Sequence, residues 1–178
     1  MNEPSLRLFF ALPCPGPAAE ALAAWARANY PGARHLHPSD LHVTLAFLGN
    51  QPASSVPRVI ELAAGLSLPD ITLKLSITER WKNLLVLLPE AVPDSLLAFQ
   101  TSLQERLASA GLNVDRRPYR PHLTLARGLG DAPVSGTPPR VAWQARQWGL
   151  YHSVQGQPRY QLLANWSSVS GRNSLFAH

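Results

Sequence analysis

The pentapeptide His-x-Thr-Leu-Ala occurs twice in the 178-residue chain, as His42-Val43-Thr44-Leu45-Ala46 and as His122-Leu123-Thr124-Leu125-Ala126. With 6 histidines in the chain, chance supplies only about 0.03 copies of His-x-Thr-Leu, so the repetition constrains the fold. Each copy sits in a short apolar run between turn formers, Pro38-Ser39-Asp40 and Gly49-Asn50 for the first, Arg120-Pro121 and Gly128 for the second. Such bounded runs predict two β-strands. Strand residues i and i+2 share a face. His42 and Thr44 therefore point one way while Leu41, Val43, Leu45 and Phe47 point to the core, and His122 with Thr124 oppose Leu123 and Leu125.

A pair of histidines suits acid and base work, because an imidazole titrates near neutral pH and one ring can accept a proton while the other donates one. Displacement at phosphorus needs both, on opposite sides of the reacting group. Two polar strand faces meeting across a cleft supply that arrangement, and the threonine hydroxyls two residues on can donate hydrogen bonds to non-bridging phosphoryl oxygens. This chemistry calls for no metal and no cofactor. A single His-Thr pair would be an ordinary solvated strand face; two matching copies are not explained that way.

These residues resemble the two-histidine (2H) phosphoesterases, and within them the RNA 2′,3′-cyclic phosphodiesterases, historically called 2′-5′ RNA ligases. The resemblance spans nearly the whole chain. It is carried by Leu6-Arg7-Leu8-Phe9-Phe10-Ala11-Leu12, by Leu41 to Gly49, and by Arg117-Pro118-Tyr119-Arg120-Pro121-His122-Leu123-Thr124-Leu125-Ala126-Arg127. It implies a two-lobed α+β fold with antiparallel sheets lining a central cleft, each lobe giving one His-x-Thr strand. It also implies opening of a 2′,3′-cyclic phosphate at an RNA end to leave a 2′-phosphate, and ATP-independent joining of RNA ends through a 2′-5′ linkage. In that scheme His42 protonates the leaving 3′ oxygen, His122 accepts a proton from the attacking water, and Thr44 and Thr124 hold the phosphate. Arg127 would contact the nucleotide or its phosphate; Arg120 and Tyr119 are substrate-binding candidates from their place beside the second motif, not from the resemblance. Strict alternation from His122 puts Arg127 on the wrong face, so its role requires the strand to end, bulge or twist by Gly128.

Strand and helix recur in each half. The N-terminal strand is followed by an amphipathic helix over Pro15 to Tyr30, with Leu22 and Trp25 at helical spacing, then the first motif. A helix over Val56 to Leu66 and a strand over Ile71 to Ile77 complete that half. The second half offers a strand from Asn83 to Leu88, a helix from Pro93 to Ala110 ended by Gly111, and the second motif. After a Pro- and Gly-rich loop from Gly130 to Arg140 come strands over Gln147 to Val154 and Arg159 to Trp166. The recurring order predicts an internal duplication about a pseudo-twofold axis, built as one domain over 1–178 with a loose polar tail over 167–178.

A net charge of +5 and a pI near 10.0 favour anionic partners, here RNA ends, tRNA fragments or nucleotides. Only Lys74 and Lys82 are lysine, and Arg116, Arg117, Arg120 and Arg127 cluster around the second motif with Tyr119 among them, a mix suited to phosphate and base contacts. The lone Cys14 rules out an internal disulfide and fits a reducing cytoplasm. No apolar run reaches the roughly 20 residues of a membrane span, so a cytoplasmic monomer is expected. Rival readings remain: a metal-dependent hydrolase using His35, His37, Asp40 and His42, a phosphodiesterase acting on another cyclic phosphate or a 2′-5′ linked nucleotide, and a non-catalytic RNA-binding module. Trp81, Trp143, Trp148 and Trp166 are expected in the core, and His152 is a structural histidine or a third cleft histidine.

Overall fold

The computed structural model describes residues 2–168. In chain order these form β1 (Ser5–Pro13), α1 (Gly16–Asn29), β2 (Arg34–His35), β3 (His42–Pro52), α2 (Val56–Ala64), β4 (Ile71–Trp81) and β5 (Leu84–Pro89). There follow α3 (Asp94–Ser109), β6 (Leu123–Arg127), β7 (Val141–Ala145), β8 (Gln147–Ser153) and β9 (Tyr160–Ser167). The strands pair antiparallel in the order β7-β4-β5-β6-β3-β1-β8-β9, with β2 beside β6. Each half of that order ends at the centre in one motif strand. Ser167, the first residue of the expected tail, pairs with Gln147 in the sheet; 169–178 lie outside the described residues.

The two lobes meet where Val43 of β3 pairs with Leu123 of β6. Both are the x of His-x-Thr, so a local twofold axis passes between them. Antiparallel register then sets His42 across from Thr124 and Thr44 across from His122. The helices cross over, α1 packing against β6 and α3 against β3. Their buried faces follow helical spacing: Ala19, Leu22, Ala23 and Ala26 in α1, Leu96, Phe99, Leu103 and Leu107 in α3. Gly111, at φ +86° just beyond α3, adopts the left-handed turn that stops a helix.

Pattern reading misses two strands, β7 and the two-residue β2. The sequence of β7 alternates, with Trp143 and Ala145 buried, but it is preceded by Pro138-Pro139 and separated from β8 by Arg146 alone. β7 pairs with β4 and β8 with β1, far apart in the sheet order. One connecting residue spans only a few ångströms, so the sheet curls until those strands approach.

Trp148 closes the core. It is fully buried, with ring centroids 5.6 Å from Phe10, 5.0 Å from Phe99 and 4.6 Å from Trp166. Trp148→Ala removes these contacts and leaves a cavity; the expected destabilisation is about 3–5 kcal/mol, measurable by urea unfolding. Trp148→Phe should cost far less, because it keeps most of the apolar area and removes an indole N–H that has no partner.

Candidate active site

The motif strands depart from simple alternation at the same place. In β3, Phe10 pairs with Ala46 and Ala11 with Thr44, so Leu45 has no partner on β1. In β6, Leu85 pairs with Ala126 and Val86 with Thr124, so Leu125 has no partner on β5. Each is a β-bulge, in which one extra residue moves everything beyond it to the opposite face. Leu45 and Ala46 are consequently both buried, as are Leu125 and Ala126.

The consequence corrects one expectation and meets the condition placed on another. Phe47 does not face the core; it is 41% exposed, with Arg7 stacked 4.6 Å above its ring. Arg127, the equivalent residue of the second motif, emerges on the side of His122 and Thr124 and lines the same cleft. The carbonyls near the first bulge find new donors, the Thr44 oxygen accepting from the Tyr119 hydroxyl at 2.7 Å and the Leu45 oxygen from the buried Gln100 amide at 3.2 Å. The Tyr119 hydroxyl is thus engaged inside the protein, and burial pushes its pKa up.

The cleft has a volume of about 250 Å³ and brings together His42, Thr44, His122, Thr124 and Arg127 with Arg7 and Arg159. Among the described residues, no carboxylate lines it. Both imidazoles are held alike: Nδ1 of His42 is 2.7 Å from the Asp40 carbonyl oxygen and Nδ1 of His122 is 2.9 Å from that of Arg120. A carbonyl can only accept, so each Nδ1 carries the hydrogen and each Nε2 is left for chemistry. Nε2 of His42 lies 3.0 Å from the Thr44 hydroxyl.

Around His42 stand Phe9, at 5.1 Å between centroids, and Tyr160, edge-on at 5.2 Å. Burial is the main cause that holds the His42 pKa below the ordinary imidazole value; the hydrogen bond to Asp40 opposes it, and the His122 and Arg127 charges reinforce it. Burial also lowers His122, with its Arg120 hydrogen bond opposing. Trp81 lies 4.5 Å from the His122 ring, and the Arg120 guanidinium sits 4.6 Å over Trp81. Arg120 thus stacks behind His122 while its side chain stays outside the phosphate cleft. Trp81 departs from the core expectation, whereas Trp143 and Trp148 are buried and Trp166 packs against the core.

Sequence reasoning missed Asp40 as a support. Its carboxylate is only 2% exposed and accepts the backbone N–H groups of Arg159 at 2.8 Å and Tyr160 at 3.1 Å, fixing the segment that brings both side chains to the cleft. Arg7 and Phe9 had a signal, since they alternate along β1; Tyr160 had none. The ligand set of the metal-dependent reading does not assemble. His37 bonds Ser39, Asp40 holds β9, and among the described residues no three His, Cys, Asp or Glu side chains gather into a metal-binding group. His35 sits in β2 opposite Ala126, not in an open loop. His152 is absent from the cleft lining, and its Nδ1 is buried without a partner.

A model of the 2′-5′ RNA ligase superfamily matches residues 14–152, and the chain belongs to that superfamily. It is similar to the RNA 2′,3′-cyclic phosphodiesterase of Escherichia coli (strain K12), at 31% identity over 175 residues covering 94% of this chain and 98% of that one. The crystal structure of E. coli LigT complexed with 3′-AMP matches with a TM-score of 0.84 at 28% identity, over 93% of this chain and 99% of that one. The NADP+ complex of the same protein matches with a TM-score of 0.82 at 29% identity, over 94% of this chain and 99% of that one.

Proposed function

We propose that this chain hydrolyses 2′,3′-cyclic phosphate ends of RNA to 2′-phosphates, His42 giving a proton to the leaving 3′ oxygen and His122 taking one from the attacking water. The observation that carries the reading is the diagonal placement of the two imidazoles about the Val43–Leu123 axis, each across the seam from the other motif's threonine. A phosphoryl group centred there has a histidine on either side, as in-line displacement requires. Thr44 and Thr124 then reach its non-bridging oxygens, and the Arg127, Arg7 and Arg159 guanidiniums favour the charge that develops on them. The E. coli relative carries this activity in its name.

Both motif strands belong to one chain, which supports action as a monomer. The continuous sheet supports a single domain over 1–178, and the lone buried Cys14 suits a reducing cytoplasm. No helix of the described residues is long and apolar enough to cross a membrane.

The test is hydrolysis of a short RNA ending in a 2′,3′-cyclic phosphate, followed from pH 4 to 9 with a chelator present. kcat/KM reports the free enzyme, where one histidine must be protonated and the other neutral, so its profile is a bell centred midway between the two pKa values. Both lie below the ordinary value, so the maximum should fall on the acid side of about 6.5. A bound phosphate anion favours imidazolium, so the kcat maximum should move to higher pH. A flat profile, or activity abolished by the chelator, would overturn the two-histidine reading.

A further inference from the structure

A smaller cavity of about 160 Å³ adjoins the phosphate cleft and shares Leu36, Arg127, Arg159 and Tyr160 with it. Arg34, His35, Asp40 and Gln157 line this cavity and not the cleft. We propose that it is a second phosphate site, which takes the phosphodiester on the 5′ side of the nucleotide that carries the cyclic phosphate. Through it the protein selects the end of an RNA chain over a free cyclic mononucleotide. The proposal rests on the function given above.

The charge of the cavity is the first ground. Arg34 of β2 pairs directly with Arg127 of β6, and like charges directly opposite each other weaken a strand pair. Neither guanidinium, nor that of Arg159, forms an ion pair among the described residues. The acid in the lining, Asp40, is 2% exposed and turns its two carboxylate oxygens to the backbone N–H groups of Arg159 and Tyr160. Three guanidiniums against one carboxylate leave the cavity positive, and a phosphodiester offsets that charge while accepting their N–H groups.

The second ground is how the lining is held. Gly128, just after β6, has φ +66°, and a Cβ there would stand 3.1 Å from Arg34 Nε. The glycine thus leaves the space in which the Arg34 side chain lies beside the end of β6. His35 also lines the cavity, and neither of its buried ring nitrogens has a partner among the described residues. A buried N–H without a partner is costly, and a phosphate oxygen in the cavity can accept it. About 10–15 Å³ is enough to hold one water, so the cavity has room for a tetrahedral oxyanion.

The occupant follows from the shared residues. Because Arg127 and Arg159 belong to both cavities, an anion here lies one side chain away from the reacting phosphorus, as the 5′ phosphate of the same nucleotide does. That group takes no part in the reaction, yet its binding contributes to kcat/KM. A cyclic mononucleotide ends in a 5′-hydroxyl and has no charge to place there.

The experiment measures kcat/KM on three substrates, in the parent and in Arg34→Met, which keeps the apolar stem and removes the guanidinium. The substrates are adenosine 2′,3′-cyclic phosphate, adenylyl-(3′-5′)-adenosine 2′,3′-cyclic phosphate, and the same dinucleotide with its internal linkage replaced by an uncharged methylphosphonate. The parent should prefer the charged dinucleotide to the other two by roughly 10- to 100-fold, the scale of hydrogen bonds to a charged group. Arg34→Met should lose most of that preference and leave mononucleotide hydrolysis within about twofold, and its salt slope on the charged dinucleotide should be shallower by roughly 0.7, the value of one single-strand phosphate contact. Arg34→Gln serves if Arg34→Met does not fold. A parent that treats the charged and uncharged dinucleotides alike overturns the proposal, as does a variant equally impaired on all three substrates or on none. A parent that turns over none of the three overturns the cyclic-phosphate reading instead. Equilibrium binding of the two dinucleotides then decides the subsite, which stands on a preference for the charged linkage that Arg34→Met removes and falls without one.

Discussion

Alanine at His42 or at His122 is expected to lower kcat on cyclic-phosphate RNA by about 10²- to 10⁴-fold each, the range for loss of a positioned acid or base. The two rings have one task between them, protonation on one side of phosphorus and deprotonation on the other, so the double variant should be little worse than either single one. Folding should survive. Both side chains project from the cleft face of their strands, whereas the buried anchors beside them are Val43, Leu45, Leu123 and Leu125. Equal melting temperatures with lost turnover would therefore locate the effect in chemistry. A variant retaining activity within tenfold of the parent, or binding RNA without any parent turnover, would instead favour a module that binds through arginine and aromatic contacts.

Arg127→Met should lower kcat/KM by about 10²-fold, the scale for removing one donor aimed at developing phosphoryl charge. Its Nη2 donates to the Tyr160 hydroxyl at 3.3 Å, which braces the guanidinium inside the cleft. Arg127→Lys should recover only part of the loss, because a single ammonium cannot reproduce the planar fork. A second readout separates this role from a merely structural one. The Arg127 charge helps to hold the His42 pKa down, so its removal should raise that pKa and move the kcat/KM maximum to higher pH. Lost activity with an unmoved pH profile would count against Arg127 sharing the field of His42.

The two motif strands and the shared face of each His and Thr were legible from period-two alternation, as was most of the element order. Legibility ended where partners decide. β7 is short and follows a proline pair, so its pairing with β4 shows only once the sheet is assembled. Trp81 alternates like a core residue but ends between His122 and Arg120, because β4 runs on to the cleft rim. Asp40 reads as a turn residue, and its support of Arg159 and Tyr160 joins residues 119 and 120 positions apart.

By itself, then, the sequence determined that two strands present His and Thr from one face, because alternation over three residues is a property of the local backbone. Tertiary structure alone decided what accompanies them. Whether Phe47 and Arg127 enter the cleft depends on bulges at Leu45 and Leu125, and a bulge is defined by register against β1 and β5, distant in the chain. The chemistry of the pair lies in the motif, and its surroundings lie in the packing of one lobe against the other.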